Sequence, residues 1–156
     1  MKFNKDILRR KAGFSLIELL IVIAILGILS VAGIGLYTSS LGKSRDARRK
    51  ADLGTIQKAL ESYYNDYGTY PASTASSNLC ADTTHCYLRT TPVDPNGPSY
   101  YYIRGNVSGT NQSFQIYSAI ERSDDSGTGV NQSGYSGTSC NGSLCKYGVS
   151  STNTTP

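Results

Sequence analysis

The chain of 156 residues has no tryptophan, one histidine, one methionine and three phenylalanines, and none of its five prolines precedes Pro71. Each shortage excludes something. With His85 as the single histidine, a triad built on a histidine base has no good candidate, and a histidine-rich metal site has none at all. Glycine loops of the phosphate-cradling kind and metalloprotease helix motifs are missing as well, so the chain does not read as an enzyme. With no proline between Phe14 and Tyr67, nothing in that stretch forces a helix to break. Charge is scarce where it would be most noticed: from Phe14 to Leu36 only Glu18 carries any.

The charge that is present lies unevenly. The formal net charge is +4, yet residues 1–13 hold five bases against one acid, which leaves ten bases and ten acids for the remainder. The basic character therefore belongs to the leader, and a nucleic-acid partner cannot be argued from the overall balance.

Residues 14–36 form an apolar run. As a helix rising about 1.5 Å per residue it reaches ~34 Å, enough for a hydrocarbon core of ~30 Å. A buried helix of a soluble protein would need a large surrounding core, which the polar remainder does not supply. The bases ahead of the run orient its start toward the cytoplasm. In an ordinary secretory signal the small-residue cleavage site follows the apolar stretch. Ala32 or Gly33 would serve for that, but such a cut leaves Glu18 unexplained. Ala12 and Gly13 form a small pair ahead of the run, and a cut between Gly13 and Phe14 removes the basic leader while keeping the helix. It also creates a cationic amine four residues before Glu18. An unpaired acid inside a membrane costs roughly 2.5–3.5 kcal/mol on insertion scales, whereas an acid near a helix N-terminus and a cation is favoured. If the amine comes from a neighbouring chain, Glu18 sets an axial register between packed helices.

The stretch GFSLIELLIVIAILGIL, residues 13–29, with the basic leader before it, resembles the N-terminal motif of type IV prepilins and type II secretion pseudopilins. The resemblance is specific over residues 9 to about 40. It implies cleavage after Gly13 by a membrane-embedded prepilin peptidase, N-methylation of Phe14, and a role for Glu18 in neutralising a neighbour's terminal amine during assembly. It implies as partners further copies of the chain in a helical homopolymer, an inner-membrane assembly platform, minor pilins, and the lipid bilayer before assembly.

Beyond the membrane, Leu53, Ile56, Leu60, Tyr63 and Tyr67 recur at spacings of three and four, an apolar stripe that carries the helix to about Tyr67. Gly68 and then Pro71 are stop signals. A helix over residues 14–67 would be roughly 80 Å long. By the family resemblance, the part between Gly27 and Gly35 is expected to loosen in an assembled filament. The run KSRDARRKAD, residues 43–52, holds Lys43, Arg45, Arg48, Arg49 and Lys50. These bases are expected to rest among lipid headgroups and later to pair with acids of neighbouring subunits, with DNA binding left as a lesser alternative.

The globular part reads as a loop over residues 69–98, a strand over Tyr100–Ile103, a second in SFQIYSAIE and a short third near Cys145–Val149. In the second strand, Phe114, Ile116, Ser118 and Ile120 point to the helix, and the alternate residues point to solvent. YYNDYGTYP and DPNGPSYYY are similar to segments of the major type II secretion pseudopilin. The twelve tyrosines suit packing and subunit contacts more than ligand binding.

Cys80 with Cys86, and Cys140 with Cys145, are close pairs. Outside the cytoplasm they read as disulfides, and short loops favour local pairing among three connectivities. A zinc site fits poorly, since the spacings lack a close two-residue gap. Of the 34 residues from Ser123 to Pro156, 22 are Ser, Thr, Gly or Asn, which suggests an exposed, polar loop and tail. Five Asn-x-Ser/Thr matches, at Asn106, Asn111, Asn131, Asn141 and Asn153, are of the kind this composition produces by chance. Asp124 and Asp125 lie where some major pseudopilins hold calcium, but two acids are an incomplete ligand set; no cofactor is expected otherwise.

The sequence thus predicts an α+β, type IV pilin-like fold. Residues 1–13 are a cleaved leader, 14–36 a transmembrane and filament-core helix, 37–68 its amphipathic continuation, and 69–156 a small extracytoplasmic region on an antiparallel sheet. The expected function is a type IV pilus subunit. The alternatives are the major pseudopilin of a type II secretion system, in a periplasmic pseudopilus, or a membrane-anchored binding module that does not polymerise.

Overall fold

The computed structural model describes residues 13–74, 78–82, 84–105 and 111–156, apart from the side chain at position 32. The leader before Gly13, and residues 106–110 between the first two expected strands, lie outside the described residues. One helix and two antiparallel sheets are present: α1 Leu16–Tyr67, a two-stranded sheet of β1 Leu79–Cys80 with β2 Cys86–Leu88, and a three-stranded sheet of β3 Tyr101–Gly105, β4 Ser113–Ser118 and β5 Tyr147–Ser150 in the order β3-β4-β5. This is the predicted long helix with small antiparallel sheets. The chain divides into two units, one ending at Ser39 and the other running Ser40–Pro156.

α1 begins immediately after Ser15 and stops where the sequence says it should. Gly68 adopts φ +68° and its amide donates to Tyr64 O at 2.7 Å, a left-handed cap that a residue with a side chain would take at a cost. In the first unit the large apolar side chains, Phe14 through Leu36, are exposed. This part of α1 is long and apolar enough to cross a membrane.

In the second unit α1 buries Leu53, Ile56, Ala59 and Leu60 with Phe114 and Ile116 of β4, Tyr100, Leu79 and Tyr70. Tyr70 lies edge-on to Phe114 and stacks on Tyr64. Each large side chain buried this way contributes about 1.5–3 kcal/mol of transfer free energy. Three tyrosine hydroxyls reach back to acids of the helix: Tyr100 donates to Asp52 (2.7 Å), Tyr70 to Glu61 (2.9 Å) and Tyr87 to Asp66. The tyrosines therefore serve packing and anchoring together. The stripe differs from the predicted one at its end, since Tyr64 joins the core margin and Tyr67 is exposed.

Three features differ from expectation. The loop over residues 69–98 contains the β1–β2 hairpin, closed by Cys80–Cys86 and by an Asp82 turn. There the Asp82 carboxylate accepts from Thr84 N at 2.7 Å and His85 N at 2.8 Å. A polar side chain completing its own turn is invisible to hydrophobic periodicity. Second, the far face of β4 does not meet solvent: Tyr117 is buried with Cys140 and Cys145, flanked by Tyr101, Ile103, Ala119 and Tyr135. Third, the polar C-terminal stretch builds that cover and is not a loose tail. Val130 bridges Tyr147, Asn131 N donates to Lys146 O (2.7 Å), Gly148 N to Gly129 O (2.9 Å) and Tyr135 N to Cys145 O (2.9 Å), so this stretch runs along the outer edge of β5. Backbone hydrogen bonds and a disulfide do here what apolar side chains would do elsewhere.

Candidate functional site

Two groups of side chains stand out, one in each unit. In the first, Gly13 and Phe14 precede the helix; Phe14 is 82% exposed, and nothing crowds Gly13. Glu18 lies in the first turn of α1, and its Oε2 accepts a hydrogen bond from the Ser15 amide at 3.2 Å, while the Leu19 amide donates to Ser15 O at 3.2 Å. Glu18 thus satisfies one of the amides that a helix N-terminus leaves unpaired. The residues SLIE spell a capping box, Ser-x-x-Glu, a signal readable from the sequence independently of hydropathy. The carboxylate therefore has a partner in its own chain.

The second group surrounds Arg49. Stepping back from Leu53 by fours and threes along α1 reaches Arg49, Asp46 and Gly42, all buried. The core stripe therefore continues into the basic run, and a charge on that stripe must be paired. Arg49 donates through Nε to Asp94 Oδ2 (3.0 Å) and through Nη1 to Asp46 Oδ1 (2.8 Å) and Glu121 Oε1 (3.0 Å). Asp46 also accepts from the amides of Glu121 (3.0 Å) and Arg122 (3.1 Å), so it fixes the chain just after β4. Arg45 binds Glu121 through both nitrogens of its fork. The hydrogen bond from Arg45, opposed by partial burial and aided by Arg49, pulls the Glu121 carboxyl down from 4.5 to about 2. Burial alone would lower the Arg49 guanidinium, but Asp94 and Glu121 outweigh it and the net shift is upward.

This arrangement corrects one expectation. Arg45, Arg49 and Lys50 do not wait for acids of neighbouring subunits: they pair with Glu121, with Asp46, Asp94 and Glu121, and with Asp125 of their own chain. Arg48 and Lys43 are exposed, Arg48 lying 3.8 Å from Asp52. The physical reason is helical phase, which turns Arg45, Arg49 and Lys50 toward the core side and Lys43 and Arg48 toward solvent.

The four cysteines form Cys80–Cys86 and Cys140–Cys145. Within the second loop Cys140 and Ser143 exchange backbone hydrogen bonds at 2.8 and 3.0 Å around Asn141 and Gly142, both at positive φ, a type I′ turn. Asp124 is held by Arg122 at 2.8 and 2.6 Å, and Asp125 by Lys50 at 2.6 Å. Among the described residues no group of three or more His, Cys, Asp or Glu side chains converges as a metal site.

Comparison with known proteins follows the two units. The prokaryotic N-terminal methylation motif matches residues 8–34, and the type II secretion system protein G family matches residues 37–134. Type II secretion system core protein G of Pseudomonas aeruginosa is 30% identical over 121 residues, which cover 70% of this chain and 83% of that one. Fimbrial protein EcpC of Eikenella corrodens is 34% identical over 85 residues, 54% of this chain and 56% of that one. Type IV major pilin protein PilA of Myxococcus xanthus is 34% identical over 61 residues, 39% of this chain and 28% of its own length. No solved structure matches the chain.

Proposed function

The chain belongs to the type II secretion system protein G family, among the pilins and pseudopilins that carry the prokaryotic N-terminal methylation motif, and on that premise we propose that it is the shaft subunit of a type IV pilus. The observation that carries the filament reading is the first unit: apolar side chains exposed from Phe14 to Leu36, with a single carboxylate in the first helical turn. Such a surface suits two environments, lipid before assembly and the helices of other copies afterward. The start of the helix faces the cytoplasm and the second unit lies outside.

Prepilin peptidase cuts after Gly13 and the new amine of Phe14 is methylated. During assembly Glu18 exchanges its internal hydrogen bond for the terminal amine of a neighbouring copy, which fixes the axial offset between helices. The chain does no catalysis of its own; it is a substrate of the peptidase and a building unit for the assembly platform.

A surface fibre is favoured by the likeness to fimbrial protein EcpC of Eikenella corrodens and to the type IV major pilin PilA of Myxococcus xanthus. The second reading, a major pseudopilin, is favoured by that match itself and by the coverage of the Pseudomonas protein.

The test is a Glu18→Ala variant beside the parent, examined by electron microscopy of sheared cells and by mass spectrometry of the N-terminus. Surface fibres from the parent, their loss in the variant, and a mature chain beginning at methylated Phe14 support the proposal. Unchanged fibres in the variant, or a mature chain beginning elsewhere, overturn it. Fibres seen only when a secretion machine is overproduced transfer the chain to the second reading.

A further inference from the structure

We infer that the loop after β4, residues 122–132, is organised by cations and donors built into the chain and does not take a calcium ion. A calcium ion requires about six to eight oxygen ligands at roughly 2.3–2.6 Å. Six oxygens of this loop, the four of the Asp124 and Asp125 carboxylates and the carbonyls of Arg122 and Asp125, each already receive a hydrogen. Asp124 Oδ1 and Oδ2 accept from Arg122 Nε (2.8 Å) and Nη2 (2.6 Å). Asp125 Oδ2 accepts from Lys50 Nζ (2.6 Å), and Oδ1 from the Gly127 amide (3.2 Å). The carbonyls of Arg122 and Asp125 accept from Gln132 Nε2 at 3.1 and 2.6 Å.

The Gln132 amide closes the loop on itself. Its nitrogen sits where two backbone carbonyls converge, although this leaves Oε1 buried with no partner. Were the loop built around a cation, the oxygen would be the end to present, since a cation would accept all three oxygens. In this orientation the two amide protons satisfy both carbonyls. Lys50 supplies the positive charge. Its ammonium bridges Asp125 and the face of Tyr147, 5.4 Å from the ring centroid, and so ties α1, the loop and β5 together. A fixed ammonium is always present, whereas a metal ion at such a loop would hold only above its dissociation constant.

The experiment uses the full chain in detergent, stripped with a chelator and then melted in chelator or in about 10 mM calcium, above the ~1 mM affinity of weak extracellular sites. The parent is expected to melt at the same temperature in both. A Lys50→Met variant is expected to melt lower by about 2–4 °C or more, with faster hydrogen exchange at Gly127, in both solutions alike. The inference is overturned if calcium raises the melting temperature of the parent by several degrees. It is also overturned if Lys50→Met leaves both melting and Gly127 exchange unchanged. Should that variant fail to fold, the parent's response to chelator and calcium decides alone. Neither readout depends on polymerisation, so the filament proposal stands or falls separately.

Discussion

Arg49 and Asp94 lie 45 residues apart and meet as a two-bond fork, Nε to Oδ2 at 3.0 Å and Nη2 to Oδ1 at 3.2 Å, with 1% and 4% of their side chains exposed. A pair this deep is costly to break from one side. Arg49→Met leaves Asp46 and Asp94 buried without their cation, and is expected to destabilise the second unit by about 3–5 kcal/mol. Arg48→Met, one residue away on the exposed side, is expected to change stability by less than about 0.5 kcal/mol. Denaturant unfolding of the full chain in detergent compares the two, and equal effects would refute the assignment of the stripe.

Acid should loosen the same cluster. The Glu121 carboxyl is depressed from 4.5 to about 2, so the stability it contributes is fully present above about pH 4.5 and is lost as pH falls toward 2. Allowing for its partial exposure, the loss is about 1–2 kcal/mol. Asp125, lowered by the hydrogen bond from Lys50, changes in the same direction. A Glu121→Gln variant is expected to show a flatter stability curve over that window, and a curve parallel to the parent's would count against the pairing.

The two disulfides differ in reach. Cys86 is exposed, whereas Cys140 and Cys145 are both buried in the cluster with Tyr117. Mild reductant with alkylation and mass spectrometry is expected to label Cys80 and Cys86 first. Replacing Cys140 and Cys145 by serine should cost more than the roughly 2 kcal/mol of loop entropy expected for so short a loop, because the packing against Tyr117 goes with it. Simultaneous labelling of all four thiols under native conditions would contradict the buried second bridge.

Gly148 is required for lack of room. A Cβ there would stand 2.7 and 2.8 Å from ring carbons of Tyr117, the residue opposite it in β4. Gly148→Ala is therefore expected to cost about 1–3 kcal/mol through overpacking. Thermal unfolding measures it, with Tyr117→Leu as a second change that should relieve part of the clash.

How far the sequence foretells this molecule depends on which force writes each element. The helix is legible from Phe14 to Gly68 because apolar spacing, the absence of proline and a terminal glycine all agree. β3, β4 and β5 are legible within about three residues for similar reasons. The β1–β2 hairpin is not, since Asp82 and a short disulfide loop hold it with hardly any apolar pattern. The covered face of β4 escapes as well, because the segment covering it is polar and gains its order from backbone pairing and two cysteines. At the candidate sites Glu18 stands out by its isolation, whereas its capping partner requires attention to Ser15 rather than to hydropathy. Arg49 is hidden inside a basic run, and only the phase inherited from Leu53 separates it from Arg48.

The stretch from Gly129 to Tyr135 occupies the backbone groups along the outside of β5. For a chain meant to join many copies of itself, a bare strand rim would invite an alternative stacking, sheet to sheet, as in amyloid. On the assembly proposed above, closing that flank with the chain's own residues leaves growth to the greasy N-terminal segment and makes disordered aggregation less competitive with ordered fibre formation.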